Sequence, residues 1–127
     1  MNQATGTFEV KLTPQAADGE DVGLSRMTID KQFHGDLEAT SQGQMLAAKS
    51  NVKGSAGYVA MERVSGSVGG RVGTFVLQHS GTMTRGEPQL SVTVVPDSGS
   101  GDLAGLSGKM VIENAEGQHS YVFEYAI

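Results

Sequence analysis

Apolar and polar residues alternate with period two along nearly the whole chain, and no stretch keeps a 3.6-residue period over three turns. A chain patterned this way builds strands with one buried face. The clearest case runs from Ser55 to Met83. Tyr58, Ala60, Glu62 and Val64 fall on one side of its first arm, and Phe75, Leu77, His79, Gly81 and Met83 on one side of its second. Gly69-Gly70 between the arms is a two-residue hairpin signal. Pairing Val68 with Arg71 sets Val64 opposite Phe75, Glu62 opposite Leu77 and Ala60 opposite His79. Both apolar rows then share a face, and that face carries a carboxylate and an imidazole as diagonal neighbours about 7 Å apart.

The other segments repeat the pattern. Phe8, Val10 and Leu12 form one row, and Met27, Ile29 and Phe33 another, with Lys31 on its apolar side. Leu37, Ala39 and Met45 follow, then Leu90, Val92 and Val94, then Met110 and Ile112, then Tyr121, Phe123, Tyr125 and Ile127. His34-Gly35-Asp36 reads as a three-residue hairpin loop pairing Phe33 with Leu37. Gly86-Glu87 is expected to pair Arg85 with Pro88 and Met83 with Leu90, and Glu116-Gly117 to pair Ala115 with Gln118 and Ile112 with Tyr121. All four turns keep the apolar rows on one face, which a one-residue slip would destroy. About eight antiparallel strands in hairpin order, with no helix to cover the apolar face, must close on themselves or pack against a second sheet. The expected fold is an all-β up-and-down barrel of lipocalin-like form, one domain over residues 1–127. Residues Pro14 to Gly23, with Asp18, Glu20 and Asp21, form its longest acidic loop, a mobile connection or a lid at the mouth.

Charge and composition narrow the partners. The formal net charge is -5, with acids and bases interspersed, so no basic face exists to neutralise nucleic-acid phosphates or an anionic membrane. No apolar run reaches bilayer length and no basic-then-apolar leader is present, so a cytoplasmic location is the simplest expectation. Cysteine is absent, which removes disulfides, thiol nucleophiles and thiolate metal sites.

The segment Gly99-Ser100-Gly101-Asp102-Leu103-Ala104-Gly105-Leu106-Ser107-Gly108 resembles the glycine-spaced signature of allene-oxide-cyclase-like and dirigent-like barrels. The whole chain more specifically resembles a small bacterial family, the domain of unknown function 3224. Gly6 to Val10, Met27 to Lys31, Tyr58 to Glu62, Phe75 to Thr84 and Leu103 to Gly108 carry that resemblance. It implies an allene-oxide-cyclase-like barrel with an internal cavity and no established activity. The plant cyclases' glutamate in an apolar barrel is an analogue of Glu62 in character alone, and shared fold does not transfer function.

Glu62 on an apolar face is the sharpest chemical signal. Burial is expected to raise its pKa and suit it to acid–base work or to anchoring a ligand; the plain alternatives are a carboxylate satisfied by Arg63, Lys31 or backbone donors, or a barrel register that turns it outward. His79 is its natural partner, as a proton shuttle or as a hydrogen-bonded core residue. Lys31 is a candidate Schiff-base amine, or else an ion-pair partner for Glu62. Tyr58, Phe75, Leu77, Tyr121 and Phe123 line the inferred interior as ligand contacts or as packing. His34 and His119 sit at or beside turns, so a three-histidine metal site is not expected. No nucleophile elbow, phosphate loop or cofactor motif is present. Three functions stand open. One is a barrel binding a small, mostly apolar molecule. Another is a cofactor-free isomerase or cyclase using Glu62. The third is a homodimer or homotrimer formed through an outer patch of Val59, Met61 and Val76.

Overall fold

A computed structural model of the chain describes residues 1–16 and 23–127. The alternating segments form eight strands: β1 (Asn2–Pro14), β2 (Leu24–Gly35), β3 (Leu37–Lys49), β4 (Ala56–Val68), β5 (Arg71–Thr84), β6 (Glu87–Val94), β7 (Ser107–Ala115) and β8 (Gln118–Ala126). They close into an antiparallel barrel in sequence order, β8 returning to pair with β1. Asp18, Glu20 and Asp21 of the acidic loop lie outside the described residues.

The central hairpin has the expected register, with Val64 opposite Phe75, Glu62 opposite Leu77 and Ala60 opposite His79. Both glycines of its turn have positive φ, 59° at Gly69 and 78° at Gly70, as a type I′ turn requires. The β7–β8 turn also pairs as expected, Ala115 with Gln118 and Ile112 with Tyr121. Two turns differ. Phe33 pairs with Ala39, not with Leu37, and Met83 pairs with Pro88, not with Leu90. In the second case the turn is built on Arg85-Gly86, whose φ values of 47° and 90° put the positive-φ pair one residue earlier than Gly86-Glu87 would. Each shift moves the ladder by two residues. A two-residue shift preserves which face a side chain takes, so the barrel interior is the one expected.

The interior is filled unevenly. Phe33, Leu37, Val64, Val68, Phe75, Leu77 and Phe123 are buried together toward one end. That end is closed by the segment between β6 and β7, where a short 3-10 turn, Gly101–Leu103, drops Leu103 and Leu106 into the same core. Ser100 N–H donates to the Thr74 carbonyl at 2.8 Å, and Val76 N–H donates to Ser98 Oγ at 3.0 Å, so the plug is tied to β5. Toward the other end burial fades although the side chains still point inward. Along β5, Phe75, Leu77, His79 and Gly81 are buried, yet Met83 is 43% exposed. Leu12 of β1 and Leu90 of β6 are 45% and 42% exposed at inward positions. Among the described residues no helix is long and apolar enough to cross a membrane.

Candidate functional site

Between the packed half and the thinly filled half lies a buried polar cluster. Glu62 enters it from β4, Lys31 from β2, Ser41 from β3 and His79 from β5, all on inward positions of their strands. Glu62 is 1% exposed, and its side-chain donors come from three other strands, β2, β3 and β5. Oε1 accepts from Lys31 Nζ at 2.9 Å and from His79 Nε2 at 2.6 Å, and Oε2 accepts from Ser41 Oγ at 2.5 Å. Lys31 Nζ also stands over two aromatic faces, 4.8 Å from the centroid of Phe8 and 5.6 Å from that of Phe33. Gly43, directly across the ladder from Glu62, lets the strands approach here, because a Cβ at that position would collide with the Met61 carbonyl and the Glu62 backbone.

The electrostatics reverse one expectation. Burial by itself pushes the Glu62 carboxyl up, but the His79 hydrogen bond, the Lys31 and His79 charges and the Ser41 hydroxyl outweigh it and hold the pKa at about 2. Glu62 is therefore a fixed anion near neutral pH, paired with Lys31. Its Coulombic effect and, more strongly, burial raise the pKa of Tyr58, which stands on the inward face of β4 nearer the thinly filled end. His79 donates through Nε2, and among the described residues its Nδ1 has no hydrogen-bond partner.

The other residues singled out in the sequence are placed differently. Phe75, Leu77 and Phe123 belong to the packed core, where Phe75 and Phe123 stack with centroids 5.7 Å apart. The Tyr121 hydroxyl donates to the His34 and Leu37 carbonyls and accepts from Leu37 N–H, which pins the β2–β3 turn. His34 pairs with Glu9 at 3.2 Å, His119 stacks on Phe8, and no group of three or more metal-ligating side chains converges among the described residues. Sequence reasoning passed over Ser41. Its signal was present, since Leu37, Ala39, Ser41, Gly43 and Met45 form one period-two row.

The comparisons with known proteins agree with this architecture. A solved protein of unknown function from Shewanella oneidensis MR-1 is 54% identical, aligns over 100% of this chain and 97% of its own, and superposes with a TM-score of 0.94. It is assigned to the family described as protein of unknown function (DUF3224). A search of the curated proteins finds no match. The profile of that same family matches residues 4–125, and with near-complete coverage the chain belongs to the DUF3224 family of closed eight-stranded barrels.

Proposed function

We propose that this barrel binds a small, mostly apolar molecule in its thinly filled half, with one polar group of the ligand meeting the Lys31–Glu62–His79 cluster. One observation carries the reading: a buried charged cluster lies beneath inward-pointing apolar side chains, Leu12, Met83 and Leu90, that still meet solvent. A buried ion pair is seldom kept for stability, since apolar residues of similar volume serve as well or better. A few convergent polar groups at the floor of an apolar recess are what a small-molecule site needs. His79 Nδ1, which has no hydrogen-bond partner among the described residues, is the ring atom left to meet a polar group of the ligand. Acid–base catalysis by Glu62 is the weaker reading, because a carboxylate held near 2 is a poor base at neutral pH.

The test is native mass spectrometry and crystallography of protein purified without extraction. We expect a bound mass that is released on denaturation, and density against His79 and Lys31. An apo mass together with an interior closed by side chains at that level sinks the proposal.

A second reading, assembly through the outer face, draws on a different surface. Leu46 and Val59 face each other across the β3–β4 ladder and, with Met61, are 43%, 53% and 50% exposed. This is the patch expected from Val59 and Met61, extended onto β3, while Val76 is half-buried.

A further inference from the structure

The barrel wall is complete on one side and interrupted on the other. Strands β1 to β5 pair along most of their lengths. The β7–β8 hairpin does not match them. On one flank β7 joins β6 through a single ladder pair, Thr93 with Lys109, which leaves Glu87 to Val92 of β6 paired to β5 alone. On its other flank β8 follows β1 only as far as Phe8 opposite His119, while β1 continues to Pro14 paired only to β2. Between β1 and β6, beyond the turn at Glu116-Gly117, the wall built by the described residues has a lateral gap.

Inward-facing side chains beside this gap meet solvent, as Met83 does on β5. Leu12 on β1 and Leu90 on β6 are 45% and 42% exposed, whereas Val92, next inward along β6 from Leu90, is 2% exposed. The gap also leads to the polar cluster from both flanks. On the β6 side Val92 is the ladder partner of His79. On the β1 side a concavity of about 440 Å³ is lined by residues from Thr7 to Val10 and from Glu116 to His119. At its back His119 stacks on Phe8, ring centroids 5.0 Å apart, and the Phe8 ring also meets Phe33, at 5.6 Å, and the Lys31 ammonium. A single aromatic ring separates the concavity from the cluster. The lining carries two carboxylates, Glu9 and Glu116, and no lysine or arginine. Such a rim repels anions and leaves neutral molecules unopposed.

We infer that the gap beside the β7–β8 hairpin is the way into the interior, that it admits neutral rather than anionic apolar molecules, and that the stacked Phe8 and His119 rings form its inner door. The inference rests on the small-molecule reading above and adds to it the route and the charge of the ligand.

Two fluorescent probes separate the possibilities. N-phenyl-1-naphthylamine is neutral and apolar, and 8-anilinonaphthalene-1-sulfonate is the same skeleton with a sulfonate. Stopped-flow association of each is measured with the wild type and with Leu90→Arg, His119→Ala and Thr40→Arg, the last on the exposed outward face of β3, away from the gap. The neutral probe is expected to bind, and the sulfonate to associate about tenfold more slowly at low salt. Leu90→Arg is expected to slow the neutral probe about fivefold, His119→Ala to speed it by a similar factor, and Thr40→Arg to leave it unchanged. Circular dichroism confirms that each variant is folded, and if Leu90→Arg is not, the His119→Ala rate decides. No response at Leu90 and His119, or slowing by Thr40→Arg as large as that by Leu90→Arg, overturns the lateral route while the binding reading stands. Equal rates for the two probes overturn the charge selection. Failure of the wild type to bind the neutral probe counts against the binding reading itself, and the route falls with it.

Discussion

Glu62 shows how a single residue is decided by its neighbours. Its carboxyl is held at about 2, below the ordinary 4.5, so its contribution to stability is complete above the ordinary value and is lost as the pH falls from there through about 2. The shift corresponds to about 3 kcal/mol. Urea denaturation from neutral pH to pH 2 is expected to show the wild type losing about that much more stability than Glu62→Gln; parallel curves for the two would show that Glu62 is not the titrating group. The sequence placed Glu62, His79 and Lys31 on inward faces, because period two alone settles facing. It did not reveal the sign of the pKa shift. Desolvation is a property of the residue's depth, but the opposing donors arrive from β2, β3 and β5, and their convergence on one carboxylate is a matter of distances of a few ångströms.

At the level of strands and turns, the legible features were those with local causes. Gly69-Gly70 and Glu116-Gly117 formed the expected turns, since each offers a residue pair at the centre of the alternation. Arg85-Gly86 was missed because arginine is a poor candidate for positive φ, yet Arg85 adopts 47°. Its backbone N–H donates to Ser55 Oγ at 3.0 Å, a contact from the β3–β4 connection that no local pattern contains. Arg85→Asn places a residue suited to the first position of a type I′ turn. It is expected to raise stability by about 1 kcal/mol in chemical denaturation. A loss of stability would mean that the arginine side chain holds the turn.

For the molecule as a whole, closure of the barrel concentrates apolar surface outside as well as inside. Leu46, Val59 and Met61 leave an uncharged stripe on the β3–β4 wall. If that stripe joins copies, sedimentation velocity at micromolar concentration will show a dimer or trimer, and Met61→Lys will return it to monomer without lowering the melting temperature. A wild-type monomer under the same conditions removes assembly from consideration.

Alternation, turn residues and the lack of any helical period were enough to determine about eight strands in hairpin order, their facing, and an apolar face that closure or a second sheet had to cover. These follow from rules that act between near neighbours in the chain, where a one-residue error reverses a whole face. The tertiary structure alone decided that Glu62 is a satisfied anion, that Ser41 joins it, and that Phe75, Leu77 and Phe123 pack as core while Leu12, Met83 and Leu90 stay wet. It also decided that β7 holds β6 at one pair and leaves the wall open beside it. Those outcomes depend on how strands distant in sequence are staggered around a closed barrel, and stagger is set by the sum of all eight pairings, not by any one of them.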